Sequence, residues 1–396
     1  MKRLLSIFLA LMMIITSSAA YGDIGMEENL RSYILADFQS GEVLEEYNID
    51  EIVETASISK LMSYLVIMDE VTKGNVSIDD KIIIDKDTTK INGSSLKLKL
   101  GEEFTVKELL EASIVVSAND ATYALSKHIA KTEENFVKLM NEKAKELGLV
   151  NSMFYNSTGL PVVGKDVQNK MTTREIFLLS KYIIDKYPNI LETTKIKAIG
   201  IASRDYFQRN TNPLLIKIEE VDGLKTGFTN KAGYCHVSTF NIKGRATKTT
   251  DLRLISIVMG AEDIEERNEM SQFLVQYGID NYSNKIFLDE ELAVETLYFS
   301  KGDITEVNAF PEKHFSKLTK SDENIKLHVD IDEDLKLPLH RNSNIGKAVI
   351  EKDGEVIFET NILIKEDVNK AKWYVLLGRF FQELGNKISE LLDKYL

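Results

Sequence analysis

Residues 61–68 form a run that is apolar around almost its whole circumference when it is placed on a helix. Such a helix needs other elements to cover every side of it, so it belongs in the core of a large domain. Ser57 and Lys60 stand three residues apart just before this run, one turn apart on one helix face. Burial disfavours the charged form of a lysine and lowers its pKa. A neutral amine beside a hydroxyl can remove its proton and make it a nucleophile.

The composition excludes several classes of function. The chain has 396 residues, enough for two domains, and its formal net charge of −13 argues against nucleic acid as a partner. Its single cysteine, Cys235, rules out an intramolecular disulfide. The sequence contains no HExxH motif, CxxC motif or Cys/His cluster, so we expect no metal site. Its five histidines are scattered, which argues against a Ser-His-Asp triad.

Each end of the chain carries a pattern of its own. Residues 1–22 combine basic residues, a short apolar run and small residues, which is typical of a secretory signal peptide; an N-terminal membrane anchor is the alternative. Residues 367–396 have the spacing of an amphipathic helix with Trp373 and Phe380 on its apolar face, which suits a membrane surface. Docking of this helix on the protein's own domain is the alternative. We therefore expect an exported protein attached to a membrane surface.

The pattern between these ends changes near residue 284. Strand patterns open the first part at 33–37 and close it at 221–260, where 234–240 and 252–259 look like neighbours in one antiparallel sheet. Helix patterns lie between them, one of which begins with a capping box at Thr105 and Glu108, and residues 96–100 alternate with period two. A closing helix pattern covers 268–282. This order predicts an α/β (α+β) fold in which helices cover an antiparallel sheet. Short strand patterns then recur between turns, with a hairpin turn at 352–355. We expect one domain over residues 23–283 that contains Ser57, and a small β-rich domain over 284–366.

Two further stretches carry reactive side chains. Residues 117–119 (Ser-Ala-Asn) offer a hydroxyl and an amide between two apolar helix patterns. Residues 225–227 (Lys-Thr-Gly) place a cation on an edge strand whose glycine allows a ligand to approach the backbone. Each stretch alone is more simply explained as a helix cap or a solvated lysine. In the order S-x-x-K, S-x-N and K-T-G, however, the three stretches resemble the motifs of the penicillin-recognising serine acyl-transferases.

The wider sequence resembles the D-alanyl-D-alanine carboxypeptidases, the low-molecular-mass penicillin-binding proteins, over residues 25–280. The stretches that carry this resemblance are 56–62 (Ala-Ser-Ile-Ser-Lys-Leu-Met), 116–121 (Val-Ser-Ala-Asn-Asp-Ala), 223–227 (Gly-Leu-Lys-Thr-Gly) and 232–235 (Ala-Gly-Tyr-Cys). The resemblance implies a serine β-lactamase-like transpeptidase fold, followed by the β domain and tail that the family often carries. Departures from the family pattern, none of which removes a reacting group, occur at Thr55, Phe228 and residues 156–158.

The resemblance implies acyl transfer on a peptidoglycan stem peptide that ends in D-Ala-D-Ala, without a cofactor. Ser57 would attack the penultimate carbonyl and release the terminal D-Ala, with Lys60 as general base. Ser117, linked to Lys60 and Lys225, would relay a proton to the leaving amine. β-Lactams would acylate the same serine as inhibitors. The remaining roles would be a contact with the substrate amide (Asn119), a backbone donor to the oxyanion (Phe228) and contacts with the terminal carboxylate (Lys225, Thr226, Gly227 and Arg253). A strand-surface ion pair is an equally simple role for Arg253.

Three other functions stay open on the sequence alone. A class A β-lactamase shares the motifs but uses a glutamate for deacylation, and no clear Glu-x-x-x-Asn counterpart lies near Asn156. A D,D-endopeptidase would have the same reacting residues as a carboxypeptidase. A non-catalytic wall-binding scaffold would not need the intact reacting set. The role implied by the resemblance is cell-wall biogenesis and cell shape, at the extracytoplasmic face of the bacterial cell membrane.

Overall fold

The computed structural model describes residues 24–245 and 247–395, so the predicted signal peptide lies outside the described residues. The strands, numbered in chain order, are β1 Ser32–Asp37, β2 Val43–Tyr47, β3 Ile52–Glu54, β4 Lys81–Ile83, β5 Glu103–Thr105, β6 Lys170–Thr172, β7 Ala198–Ile201, β8 Tyr206–Arg209, β9 Val221–Thr229, β10 Gly233–Ile242, β11 Thr249–Thr250, β12 Leu252–Ala261, β13 Tyr282–Leu288, β14 Glu295–Tyr298, β15 Glu306–Pro311, β16 Phe315–Lys320, β17 Ile325–Ile331, β18 Asn344–Lys352 and β19 Glu355–Ile364. The α-helices are α1 Lys60–Thr72, α2 Val106–Val115, α3 Asn119–Ala130, α4 Glu133–Glu146, α5 Thr173–Lys186, α6 Ile190–Thr194, α7 Ile264–Asn281 and α8 Trp373–Tyr395.

The chain divides into two units, which we describe separately. The first consists of the residues up to Ile242 together with Arg253–Gly278, and the second of Lys243–Leu252 and the residues from Ile279 onward. The sequence-based boundary at 283/284 differs from this division because it falls inside β13. That strand pairs along its length with β16, so its residues belong with the second unit.

The first unit is built on an antiparallel sheet with the strand order β2-β1-β12-β10-β9. All six residues of β1 are buried, and β10 and β12 are neighbours, as the sequence predicts. Helix α1 contacts α2, α3, α4 and α5, so it is covered on all sides. Its apolar residues Leu61, Met62 and Ile67 are fully buried, as expected for a helix without a polar face.

The second unit is all-β apart from its last helix. Strands β11, β13 and β16 form one sheet, and β14, β15, β19, β18 and β17 form another in that order. A separate apolar core, which includes Val307, Ile350 and Ile362, stabilises the unit. The hairpin predicted at 352–355 joins β18 to β19, and both of its central residues have positive φ, as a tight hairpin turn requires.

Helix α8 ends the described chain, although the side chains at 391, 392, 394 and 395 lie outside the description. Several of its large apolar residues are exposed, among them Trp373 (75%) and Phe380 (59%). Within the ranges that the structure describes, no helix combines the length and the apolar character needed to cross a membrane.

Candidate active site

Ser57 lies in a turn of 3-10 helix, Ala56–Ser59, that leads directly into α1. Lys60 is the first residue of α1, and its side chain is completely buried. The Nζ atom of Lys60 lies 2.8 Å from Ser57 Oγ. The pair therefore meets as the spacing predicts, although a 3-10 turn takes the place of the first α-helical turn.

Three oxygen atoms surround the amine of Lys60. Besides Ser57 Oγ, they are Asn119 Oδ1 at 2.7 Å and the carbonyl oxygen of Thr158 at 3.0 Å. Amide and peptide oxygens can only accept, so each takes one N–H of the amine. A neutral amine has two N–H groups and one lone pair, and the lone pair is then left for the Ser57 hydroxyl. This is the arrangement of a base ready to accept the hydroxyl proton.

The surroundings favour the neutral form of Lys60. Burial holds the pKa of Lys60 well below its usual range, and the positive charge of Lys225 lowers it further, against a smaller opposing effect of Asp120. Burial and then the charge of Arg267 lower the pKa of Lys225 itself to about 7. The lowered pKa of Lys60 favours the neutral amine that a general base requires, and Lys225 loses its charge near neutral pH.

The predicted Ser-Ala-Asn motif lies at the beginning of α3. Asn119 Oδ1 accepts from Lys60, and Nδ2 donates to the carbonyl of Asn92 at 2.8 Å. Because Nδ2 carries two N–H groups, the second can donate to a substrate carbonyl. Ser117 is buried and has a φ of 60°. Its predicted link to Lys60 and Lys225 is not among the hydrogen bonds of the described residues, since the Lys60 amine is already surrounded by other oxygens.

The carboxylate of Asp120 fixes a loop against the same end of α3. It accepts from Ser95 Oγ at 2.7 Å and from the backbone N–H groups of Leu96 and Leu98 at 3.0 and 3.1 Å. The loop carries the carbonyl of Asn92, which accepts from Asn119 Nδ2. Asp120 therefore helps to orient Asn119. No hydrogen bond between the described residues joins Asp120 to Lys60 itself.

Strand β9 carries the Lys-Thr-Gly motif past the nucleophile turn. A Cβ atom at Gly227 would lie 3.1 Å from Ser57 N, closer than ordinary packing allows. The sequence suggested that this glycine allows a ligand to approach the backbone. In the structure it is instead the turn that holds Ser57 that approaches Gly227 closely. Lys225 is buried, and its Nζ donates to the carbonyl of Thr226 at 3.0 Å. Phe228 follows, with its ring half exposed and stacked on a tyrosine of β10.

Arg253 is bound in an ion pair on β9 and β12, away from Thr226. Its Nη1 and Nη2 atoms donate to the two carboxylate oxygens of Asp222 at 2.9 and 2.8 Å, and Nη1 also donates to Thr239 Oγ1 at 2.8 Å. Asp222 precedes Thr226 by four residues on β9, which corresponds to about 13 Å along a strand. Of the two roles that the sequence leaves open for Arg253, the structure therefore shows the ion pair, with Asp222, and not a contact beside Thr226.

Arg267 is a cation near this strand that the sequence did not reveal. It lies in the first turn of α7 and is only 6% exposed. After burial, its charge is the next cause of the lowered pKa of Lys225 and of His236, which lies opposite Thr226 in the pairing of β9 with β10. The predicted helix pattern began only at Asn268, so no motif included Arg267. Because its pKa is lowered, His236 is neutral, and the positive potential beside β9 that suits a carboxylate comes from Lys225 and Arg267.

Cys235 is part of the core and takes no part in this chemistry. It is fully buried, and burial raises the pKa of its thiol to about 11, so the reactive thiolate is disfavoured. Over residues 24–245 and 247–395, no group of three His, Cys, Asp or Glu side chains is placed to hold a metal ion.

Two models of known protein families match this chain. A family model described as D-alanyl-D-alanine carboxypeptidase matches residues 21–263, more than half of the chain. The chain belongs to the D-alanyl-D-alanine carboxypeptidase family. A second model, described as the C-terminal domain of penicillin-binding protein 5, matches residues 282–370. These two matches confirm the resemblance drawn from the sequence motifs.

Individual members of the family are similar over most of the chain. The D-alanyl-D-alanine carboxypeptidase DacF of Bacillus subtilis is 31% identical over 392 residues, 96% of this chain and 98% of the relative. The structure of penicillin-binding protein 5 from Haemophilus influenzae has a TM-score of 0.63 and 28% identity, covering 86% of this chain and 98% of that one. Penicillin-binding protein D2 from Listeria monocytogenes, in its ampicillin-bound form, has a TM-score of 0.55 and 32% identity over 62% of this chain and 96% of that one. The predicted fold class is thereby confirmed.

Proposed function

We propose that the protein is a serine-type D-alanyl-D-alanine carboxypeptidase that removes the terminal D-Ala from peptidoglycan stem peptides through an acyl-enzyme on Ser57. The observation that carries the proposal is the buried amine of Lys60, 2.8 Å from Ser57 Oγ, in a chain of this family. Trimming of stem peptides would make the protein part of cell-wall biogenesis and the control of cell shape.

The first half of the reaction forms the acyl-enzyme. The neutral amine of Lys60 accepts the proton of the Ser57 hydroxyl while Oγ attacks the carbonyl of the penultimate D-Ala. The backbone N–H groups of Ser57 and Phe228 stabilise the developing oxyanion, and loss of one such donor typically costs about 100- to 1000-fold in rate. The proton then passes from Lys60 through the Ser117 hydroxyl to the leaving amine of D-Ala, a transfer that requires Ser117 to approach Lys60 when the peptide is bound. Water then hydrolyses the ester and restores the Ser57 hydroxyl.

Contacts outside the reacting groups would orient the peptide. The second N–H of Asn119 Nδ2 donates to a substrate carbonyl. The terminal carboxylate binds beside Lys225 and Thr226 on β9, where the charge of Arg267 adds to the attraction. Burial of these cations explains why an acidic protein, with a net charge of −13, can bind an anion here.

The choice of Arg267 over Arg253 can be measured. Arg267→Gln should raise KM for a D-Ala-D-Ala peptide at least about tenfold, because one charge-assisted contact to the carboxylate contributes roughly 1.5–3 kcal/mol. Arg253→Gln should leave KM within about twofold, because its guanidinium is bound to Asp222. Steady-state kinetics with both variants, after a check that each melts like a folded protein, separate the two roles. The opposite order of effects on KM would restore the sequence-based assignment.

The test of the proposed function follows the acyl-enzyme directly. Ampicillin is bound in the structure of the Listeria relative, and we expect β-lactams to acylate Ser57 here as slow substrates. Intact-mass spectrometry after incubation with penicillin should show one adduct on the wild type and none on Ser57→Ala. The wild type should release D-Ala from a free stem pentapeptide, and Ser57→Ala should not.

Other outcomes would assign a different function. Rapid turnover of penicillin without a lasting adduct would indicate a β-lactamase. Cleavage of cross-linked dimers in preference to free pentapeptides would indicate a D,D-endopeptidase. Release of D-Ala by Ser57→Ala at the rate of the wild type would show that the assignment of the nucleophile is mistaken.

We further propose that the chain is exported with removal of residues 1–22 and that α8 attaches it to the outer face of the cell membrane. The exposed apolar side chains that support this are Trp373, Leu377, Phe380, Phe381, Leu384 and Ile388. Burial of such a face in the interface between headgroups and acyl chains is favourable, and polar residues on the other face remain in water.

Deletion of α8 should release the protein from membranes without loss of activity. The deletion must begin at Trp373, because Val368 is fully buried in the core of the second unit and pairs with Leu339. The truncated protein should stay in the supernatant after centrifugation with lipid vesicles and should still release D-Ala. A matched variant of the polar face, Glu383→Gln with Lys387→Gln, should pellet like the wild type. Pelleting of the truncated protein would contradict the attachment.

A further inference from the structure

A cavity of about 700 Å³ lies within the second unit, next to the beginning of α8. Residues 298–301, 335–337 and 370–371 surround it, together with Leu376 of α8. Two backbone bridges hold these segments together: Gly302 pairs with Lys370, and Leu339, just after the second segment, pairs with Val368. The volume is within the range of roughly 300–1,000 Å³ that is usual for sites of small molecules.

The first turns of α8 are fastened to the wall of this cavity. Arg379 Nη1 donates to the carbonyl of Gly302 at 2.7 Å, and Nη2 donates to the carbonyl of Asp303 at 3.1 Å. The N–H of Ala371 donates to the carbonyl of Lys301 at 2.9 Å. These hydrogen bonds hold the beginning of α8, where its exposed apolar face starts, against the cavity.

The lining of the cavity combines apolar groups with three lysines. The apolar residues are Tyr298, Phe299, Leu335, Leu337, Ala371 and Leu376, and the lysines are Lys301, Lys336 and Lys370. Across the described part of the chain, none of these three lysines has an ion-pair partner within 4.0 Å, whereas Lys347 and Lys352 of the same unit are paired with glutamates. The acidic residues 332–334 precede Leu335 and are not part of the lining.

We infer that this cavity binds a single anionic phospholipid, with the phosphate on the three lysines and part of one acyl chain on the apolar lining. Three unpaired cations in a chain with a net charge of −13 are complementary to an anion. The apolar lining includes Leu376, and the exposed face of α8 continues from the next residue, Leu377, so the site opens where a membrane surface would lie. The inference rests on the proposed attachment by α8 and adds a preference for one class of lipid.

A short-chain lipid tests the cavity without a membrane. Isothermal titration with dihexanoylphosphatidylglycerol, below the concentration at which it forms micelles, should show one saturable site on the full protein. The triple variant Lys301→Gln, Lys336→Gln, Lys370→Gln should bind roughly 100-fold more weakly, since each of the three lysines near an anionic headgroup contributes roughly fivefold. Dihexanoylphosphatidylcholine should bind much more weakly than the anionic lipid.

A second triple variant controls for the change in charge. Lys248, Lys313 and Lys326 are exposed lysines of the same unit outside the cavity lining, and their change to glutamine should leave the affinity within about twofold. Equal loss of affinity in both triple variants would overturn the inference, because net charge alone would then account for the binding. Displacement of the lipid by inorganic phosphate at the same concentration would also overturn it, because the apolar lining would then contribute nothing.

Vesicles separate this inference from the attachment itself. The wild type and the control triple variant should prefer vesicles that contain phosphatidylglycerol to vesicles of phosphatidylcholine alone. The cavity triple variant should lose this preference and bind phosphatidylcholine vesicles as the wild type does. Saturable binding of the short-chain lipid without binding to any vesicle would support the cavity and refute the attachment by α8. Binding of all variants to both vesicles alike would refute the cavity and support the attachment.

Discussion

Lys60→Met is expected to lower the rate of acylation by penicillin about 10³-fold, because it removes the group that accepts the Ser57 proton. Methionine keeps the length and apolar volume of the buried side chain but has no basic nitrogen. Stopped-flow mixing with a chromogenic β-lactam measures this rate directly. A thermal melt distinguishes loss of the base from loss of the fold, since Lys60 also donates to Asn119 and to Thr158.

Lys60→Arg separates a base from a mere positive charge. Arginine stays protonated at any accessible pH, so it should acylate as slowly as Lys60→Met if the neutral amine is required. Acylation at the rate of the wild type would refute the base role. In the wild type the rate should fall as the pH drops through the lowered pKa of Lys60, because the amine becomes protonated. Binding of carboxylate substrates should weaken as the pH rises above about 7, where Lys225 loses its proton.

Gly159→Ala is expected to destabilise the fold by more than about 3 kcal/mol and to prevent formation of the penicillin adduct. A Cβ atom at this position would lie 1.8 Å from the carbonyl oxygen of Ala56 and 2.4 Å from its carbonyl carbon, a contact that the backbone can relieve only by moving. Ala56 directly precedes Ser57, and Thr158, whose carbonyl contacts Lys60, directly precedes Gly159. The displacement would therefore move both the nucleophile and the base.

Gly164→Ala is the matched control for Gly159→Ala. Gly164 has a φ of +75°, comparable with +86° at Gly159, but a Cβ atom there would meet nothing within 4 Å. The variant should be destabilised only by the strain of an alanine in a left-handed conformation, about 1 kcal/mol, and should form the adduct normally. Urea unfolding and intact-mass spectrometry measure both effects. Equal losses of stability with adducts on both variants would show that the close contact with Ala56 is unimportant.

Local signals in the sequence were sufficient to predict many of the helices and strands and part of the active site. The capping box that begins α2 forms as predicted, with the Thr105 hydroxyl and the Glu108 carboxylate each bonded to the backbone of the other residue. The spacing of Ser57 and Lys60 was enough to bring them into contact, because only one helical turn separates them. Such features depend on neighbours in the chain, and their residue types are visible in the sequence.

Features that depend on distant partners could not be predicted in this way. Residues 96–100 alternate with period two, and Leu96 and Leu98 are indeed buried. Their N–H groups nevertheless bond to Asp120, so the segment is a loop and not a strand. The carbonyl of Thr158 beside Lys60 is a backbone group, which no residue type indicates. The roles of Arg253 and Arg267 depend on which distant segments fold against each of them. The pattern of residue types along the chain does not contain that information.

The surroundings of Ser57 have one practical consequence. Its reactivity needs four parts of the chain at once: the turn at 56–60, the loop and helix start at 92–120, the carbonyl of Thr158, and the strand that contains Gly227. A molecule in which any of them is out of place has an unreactive serine. A fluorescent penicillin therefore counts correctly assembled molecules in a crude extract, and it can follow refolding in real time without purification.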